Sequence, residues 1–387
     1  MKNNLLVVMS GGTTSVINAT LCGIVEEAKR SEKIDRIIAG FPGILGFNND
    51  KMVDLTDLSE AQLSQLYYIP TSCFIGTTRI EKDYFEGVEK LTEQLEKYNV
   101  TYFINIGGNG TIKQSARISE VAPWLRIAAA PKTVDNDLGD KEFEKVYYTP
   151  GYPSCINYWK HKISIMNLEN IGAHSHDKVL IAQTFGRETG FLVGAGKLIN
   201  KEGNLPILLL LPEDQQEERS VVDKIENTLR RYDRAVVIMS EGYKIGKIGE
   251  VRDKSGQIMY GSSMSTNAQN LVNLCCTHGI QARSLVPAID QRSDGIFCTR
   301  GDLKASYELG IFTVYNLVNG ENKFLSSINC NNEFIGIPFA ETEDYSRKMK
   351  PEWIEYGGFD VTSLYVDYME ALIDDPLYDF SIFESNL

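Results

Sequence analysis

Two doubly wound, mostly parallel-sheet domains of the α/β class are what this chain predicts. Short apolar runs alternate with segments of helical spacing along most of its length, the order that a parallel sheet with crossover helices requires. At 387 residues the chain exceeds the usual size of one domain. No repeat of solenoid period runs through it.

The elements follow in order. Leu5 to Met9 is apolar and partly β-branched, a first strand rather than a leader, because Gly11 and Gly12 end the run. The turn Ser10-Gly11-Gly12-Thr13-Thr14-Ser15 leads into helical spacing from Val16 to Lys29, with Ser15 a candidate N-cap. Arg36 to Ala39 is a second strand, and an irregular, acid-punctuated stretch then runs to Tyr67. The loop Gly76-Thr77-Thr78-Arg79 precedes an amphipathic helix, Asp83 to Tyr98. Val100 to Ile104 and Leu125 to Ala130 are strands; between them lies Gly107-Gly108-Asn109-Gly110-Thr111, and after them Pro131-Lys132-Thr133-Val134-Asp135-Asn136-Asp137. Beyond the break at Tyr148-Thr149-Pro150-Gly151, helices are expected at Ser154 to Met166, Gly190 to Ile199, Val221 to Tyr232, Asn267 to Thr277 and Leu303 to Val318. Strands are expected at Lys178 to Gln183, Leu205 to Leu211, Ala235 to Met239 and Ala282 to Val286. Residues past Pro338 read as a surface extension, with a helix near Asp360 to Tyr368 docked on the body.

Composition narrows the partners. A formal net charge of −13 argues against nucleic acid or an acidic membrane surface. It leaves room for an anionic small substrate, since a few local cations dominate at contact range. The longest apolar run, Ile207 to Leu211 between two prolines, is far too short to span a bilayer. Seven scattered cysteines without zinc spacing read as reduced thiols of a cytoplasmic protein.

The chemistry centres on the second glycine turn and the acid loop after it. Glycines there let backbone N–H groups approach an anion, and the following helix aims its positive end at the same place. The loop adds Lys132, Asp135 and Asp137 to that edge. A phosphate cradle beside two acids points to phosphoryl transfer, where positioning and charge neutralisation supply most of the catalysis.

The set Ser10-Gly11-Gly12, Gly43/Gly46, Gly76-x-x-Arg79, Gly107-Gly108-x-Gly110-Thr111 and Pro131-Lys132-Thr133-x-Asp135-Asn136-Asp137 resembles the phosphofructokinases in content and order. Phe185-Gly186-Arg187, Ser240-Glu241-Gly242, Arg283 and Gln291-Arg292 continue the resemblance to about Gly310. It implies a phosphoryl-donor domain at 1–150, with about 291–340 returning to it, an acceptor domain at 151–290, and 341–387 packed on the body. The active site would lie in the cleft between the domains. It implies Asp135 as general base, with Lys132 and Arg187 beside it. The donor would meet Gly11, Gly12, Arg79, Gly108, Asn109, Gly110 and Thr111. The sugar phosphate would meet Thr133, Asp137, Lys178, Phe185, Gly186, Arg187, Glu241, Arg283 and Arg292, with Lys178 and Arg283 reaching over from a neighbouring subunit of a homodimer or homotetramer. Magnesium would be held by Asn109 and Asp135.

Several positions depart from that pattern. Asn109 stands where an aspartate usually holds the metal, and Thr13-Thr14-Ser15-Val16 replaces a glycine-bearing turn. Lys178 replaces an arginine, Ile289 a sugar-contacting histidine or tyrosine, and Ser293-Asp294 two glycines. Lys132 marks the pyrophosphate-using branch, whereas Gly110 is the residue that nucleotide users keep. The expected activity is magnesium-dependent transfer from pyrophosphate to a sugar phosphate such as fructose 6-phosphate. An ATP-dependent kinase of the same fold and a catalytically weakened metabolite-binding paralogue stand as alternatives.

Overall fold

The computed structural model describes residues 3–78, 86–253 and 256–373. Arg79 lies outside them, as does the start of the helix expected from Asp83. The chain begins β1 (Asn4–Met9), α1 (Ile17–Arg30), β2 (Arg36–Gly40), α2 (Gly43–Asn48), β3 (Met52–Asp54), α3 (Glu60–Tyr68), α4 (Glu86–Lys97), β4 (Val100–Gly107), α5 (Asn109–Val121) and β5 (Arg126–Pro131). Next come α6 (Tyr152–Ala173), β6 (Val179–Thr184), β7 (Ile207–Leu210), α7 (Glu218–Tyr232), β8 (Ala235–Ser240), α8 (Asn267–Thr277), β9 (Ala282–Leu285) and α9 (Asp290–Ser293). The chain ends with α10 (Arg300–Asn319), β10 (Phe324–Ile328), β11 (Phe334–Pro338), β12 (Ile354–Glu355), β13 (Asp360–Val361) and α11 (Ser363–Glu370). They form two compact units: Met1–Tyr152 with Arg292–Arg347, and Pro153–Gln291 with Lys348–Leu387.

The first unit holds a seven-stranded sheet in the order β11-β10-β5-β4-β1-β2-β3, parallel except for β3 and β11 at its edges. The period of two along each strand puts apolar residues of its central strands on both faces of the sheet. Leu5, Val7 and Met9 pack into one layer with Ile104, Ile106 and Ala128, while Leu6 and Val8 pack into the opposite layer with Phe103, Ile127 and Ala129. β1 is flanked by β2 on one side and β4 on the other, so the strand order reverses there. Loops at the carboxyl ends of such a pair diverge and leave a crevice for a ligand. The glycine turns after β1 and β4 are those loops.

The second unit holds a fully parallel four-stranded sheet, β7-β8-β6-β9. Val179, Ile181, Val237 and Met239 pack against Val221, Ile225, Leu271 and Cys275 of α7 and α8. Reversal of order falls at β6, which is again where its functional loop leaves the sheet.

Several local expectations need correction. The stretch read as irregular before Tyr67 contains α3, started by a reciprocal capping box: Gln62 N–H donates to Ser59 Oγ at 3.3 Å, and Ser59 N–H to Gln62 Oε1 at 2.9 Å. Ser15 is not an N-cap; α1 is preceded by Val16 and has no side-chain cap. The segment expected as a helix from Gly190 to Ile199 is a 3-10 turn, Val193–Leu198. Two of its glycines face close neighbours, Gly194 against the Tyr365 ring and Gly196 against Leu209. The described residues past Pro338 are part of the compact units rather than a surface extension, and α11 supplies the helix expected near Asp360 to Tyr368. Arg347 is wholly buried in the first unit, and in the second Trp353 stacks on Tyr368 at 4.7 Å while Tyr365 donates to Phe191 O at 2.7 Å.

Candidate active site

In the first unit the glycine turns and the acid loop are tied together by the backbone. β4 and β5 run in register to Gly107 and Pro131, and Lys132 N–H donates to Gly107 O at 2.9 Å. Gly107 has no room for a side chain: a Cβ there would stand 2.1 Å from Thr111 Oγ1. Gly108 is the N-cap residue of α5, so Asn109, Gly110 and Thr111 form its first turn; Thr111 N–H donates to Gly108 O at 2.9 Å, and the N–H groups before it have no carbonyl one turn back. Asn109 Nδ2 donates to Asp137 O at 3.3 Å, which joins that turn to the acid loop. Within the loop, Asp135 N–H donates to Thr133 Oγ1 at 3.2 Å, and Asp135 is half-buried.

The first glycine turn meets two cations. Lys132 is buried, and its Nζ donates to Gly12 O. Arg292 falls in this unit as well, its Nη1 standing 2.8 Å from where a Cβ on Gly12 would be. An arginine expected on the acceptor side therefore lies against the turn expected to take the donor. Gly11 adopts φ +78°, a conformation that favours glycine, and its N–H donates to Thr78 O at 2.9 Å.

In the second unit the loop after β6 carries Phe185, Gly186 and Arg187. Gly186 has φ +120° and Arg187 φ +51°, so the loop turns sharply at the sheet edge. Arg187 O accepts from Ser240 Oγ at 2.8 Å and lies so close to Gly242 that any Cβ there would clash at 1.8 Å. Glu241 begins the adjacent loop, its N–H donating to Thr184 O and its own carbonyl accepting from Asn267 Nδ2 at 2.8 Å. Gln257 and Tyr260 escaped sequence reasoning, and Gln291, quoted there only as part of the Gln291-Arg292 block, was given no role. Gln291 is buried and accepts through Oε1 from Phe185 N–H at 2.8 Å and from Trp159 Nε1 at 3.1 Å. Gln257 accepts from Arg187 Nη1 at 2.7 Å. Burial, then the carboxylates of Glu241 and Glu188, push the Tyr260 phenol up to about 12, so it stays a hydrogen-bond donor across the neutral range. No spacing in the sequence links any of the three to its partner.

Lys178 and Arg283 lie elsewhere. Lys178 precedes β6 and Arg283 pairs with Leu180, so both sit at the amino edge of the sheet whose carboxyl edge carries Arg187 and Glu241. A six-residue strand separates the two edges by roughly 20 Å. Lys178 Nζ is paired with Asp233, and Arg283 Nη2 with Asp177 at 3.0 Å.

The phosphofructokinase family pattern matches residues 4–298. The chain belongs to the phosphofructokinase family. It is 27% identical to the pyrophosphate–fructose 6-phosphate 1-phosphotransferase of Xanthomonas campestris pv. campestris, covering 96% of this chain and 92% of that protein. It is 26% identical to the ATP-dependent 6-phosphofructokinase of Staphylococcus carnosus, over 63% of this chain and 71% of that one. The crystal structure of a pyrophosphate-dependent phosphofructokinase from Nitrosospira multiformis superposes with a TM-score of 0.84 at 25% identity, covering 97% of this chain and 93% of that chain.

A phosphofructokinase of this sequence has few hard ligands to offer a cation. Among the described residues no three His, Cys, Asp or Glu side chains gather as a metal cage. Near the α5 turn stand the Asp135 and Asp137 loop and the Asn109 amide, which is tied to it by hydrogen bond. That set fits a magnesium ion brought in on donor phosphates, since Mg²⁺ is usually held by one or two carboxylates plus substrate oxygens.

Proposed function

We propose that this phosphofructokinase-family chain moves a phosphoryl group from pyrophosphate to a hydroxyl of a sugar phosphate, fructose 6-phosphate or a close relative. The observation that supports the donor best is buried Lys132, whose ammonium is tethered to the first glycine turn through Gly12 O. A compact cation fixed there neutralises a terminal phosphate and takes up room that a longer nucleotide chain needs. The similarity over nearly the full length to a pyrophosphate enzyme points the same way.

Asp135 is the general base in this reading, accepting the acceptor hydroxyl's proton as oxygen attacks phosphorus. Its loop is held by backbone and side-chain bonds rather than by solvent, so little reorganisation is needed at the moment of reaction. Gly12 and the Gly108–Gly110 turn present N–H groups to the donor, Gly11 and Thr111 shape the two turns through their own backbone bonds, and Arg292 and Arg79 add charge. Arg187 and Glu241, with Phe185 and Gly186, bind the acceptor, its phosphate and hydroxyls being read by guanidinium and carboxylate respectively. Asn109 and Asp135 would hold magnesium, which when bound would shield the donor charge. The assembly in this reading is a homodimer or homotetramer. All seven cysteines stand as thiols, which fits a cytoplasmic protein. Among the described residues no helix is long and apolar enough to cross a membrane.

Initial rates measured with pyrophosphate, ATP and ADP against a panel of sugar phosphates test the reading directly. Pyrophosphate is expected to support turnover, and Asp135→Asn to lower kcat by ~10²–10⁴-fold with the fold intact. Turnover with ATP alone would leave the base assignment standing and remove pyrophosphate. Near-normal rates in folded Asp135→Asn would remove the catalytic reading of this loop.

A further inference from the structure

The acid loop is held by more than its own turn bond from Asp135 N–H to Thr133 Oγ1. Asn136, between the two aspartates, has φ +53° and is wholly buried. A non-glycine residue in that region persists only when its surroundings fix it. The residue that fixes it comes from 211 positions further along the chain. Arg347, itself 1% exposed, donates from Nε to Asn136 O at 2.9 Å and from Nη2 to Asn136 Oδ1 at 2.7 Å. Its Nη1 donates to Val146 O, and its backbone N–H to Asp137 O at 2.8 Å. The guanidinium lies over the Phe143 ring, 3.8 Å from its centroid. Gly139, at φ +143°, leaves the space: a Cβ there would be 2.8 Å from Nη1. Thr149 completes the clamp, donating from N to Asn136 Oδ1 at 3.1 Å and from Oγ1 to Thr133 O at 2.8 Å.

We propose that Arg347 is a positioning residue for phosphoryl transfer, setting the Asp135 loop by a two-pronged grip on Asn136 and a third bond to Asp137. The grip needs arginine. Its planar fork meets a carbonyl and an amide oxygen of the same residue at once, whereas lysine offers one tetrahedral head. Breaking it takes one buried donor from Asn136 O and one from Asn136 Oδ1, which keeps Thr149 N–H, and loosens the left-handed turn that carries Asp135. The catalytic half of this inference rests on the activity proposed above; the positional half does not.

Arg347→Lys and Arg347→Met separate the two halves when measured by hydrogen exchange and by steady-state kinetics on the full chain. In Arg347→Lys, exchange is expected to accelerate at residues 133–149 while β4 and β5 keep their protection. With pyrophosphate and fructose 6-phosphate, kcat is expected to fall ~10- to 100-fold, as for small misplacements of a catalytic group, with the KM for pyrophosphate within about twofold. Should Arg347→Met fail to fold, Arg347→Lys carries the test, since it keeps the charge and most of the stem. Exchange that rises throughout the unit, or does not rise at 133–149, overturns the inference, as does loop exchange that rises with kcat unchanged. A wild-type chain inactive with every donor overturns the proposed activity instead, and the exchange pattern then decides whether Arg347 holds the loop.

Discussion

Donor choice turns on single residues whose surroundings now differ in kind. Lys132 is buried and tethered, so its charge is part of the turn's construction. Gly110 is the reverse case. A Cβ added there would meet no atom within 4 Å, and its φ is not positive, so packing does not demand glycine. An aspartate in the first turn of α5 also suits the helix dipole. Gly110→Asp is therefore expected to leave the melting temperature unchanged. If pyrophosphate is the donor, its turnover stays within a few-fold of wild type, while any side activity with ATP disappears; loss of pyrophosphate turnover in the folded variant would count against the donor assignment. A second residue sets a pH dependence. Burial pushes the Glu213 carboxyl above its ordinary value near 4.5, and the backbone N–H groups of Met349 and Gly190 offset only part of that. The folded state then binds more protons than the unfolded one as pH rises through this window, so stability falls with rising pH. Glu213→Gln is expected to melt higher than wild type at pH 7 to 8, the gap closing as pH approaches the ordinary carboxylate range. Parallel melting curves at those pH values check the sign.

Among the elements, what the sequence made legible were those whose signal is local. β1, β4 and β5 are buried on both faces and read as largely apolar runs, and the glycine turns after β1 and β4 announce themselves. α3 carries a local signal too, Ser59 and Gln62 three apart, but only Leu63 and Leu66 of its short apolar face are buried, so its periodicity is faint. Strand pairing depends on contacts from some tens to about two hundred residues apart, and the return of 292–347 to the first unit on still longer ones, which no window reveals. The same holds for Arg292 beside Gly12. The packing of α1 on α10 is another such contact, and it bears on the site because α1 carries the first glycine turn. A Cβ on Gly23 would stand 2.0 Å from Tyr307 O, and one on Gly310 2.3 Å from Thr20 O. Both obstacles are backbone, so the helices themselves must separate. Gly23→Ala is expected to cost ~1–3 kcal/mol, the usual range for overpacking, read from the urea midpoint. Activity should fall with it, since α1 cannot shift without moving Gly11 and Gly12.

At the scale of the whole molecule, the second sheet poses a question of assembly. Arg187 and Glu241 leave its carboxyl edge, Lys178 and Arg283 its amino edge, roughly 20 Å away along the strands. One sugar phosphate does not reach both edges of a single copy. If Arg283 serves the acceptor, the Arg283 in question belongs to a second copy, as a two-fold assembly with reciprocal sites allows. Co-expression of Asp135→Asn with Arg283→Ala decides this. Each variant alone is expected to be nearly inactive. In a random two-fold mixture, half of the dimers pair one chain of each kind, and one of the two sites in such a pair carries neither lesion. About a quarter of wild-type activity should then return. If Arg283 acts within its own chain, each intact site would need both residues from one copy, and co-expression would restore nothing. Normal activity of Arg283→Ala by itself would show instead that the Asp177–Arg283 pair is a surface bond with no part in the reaction.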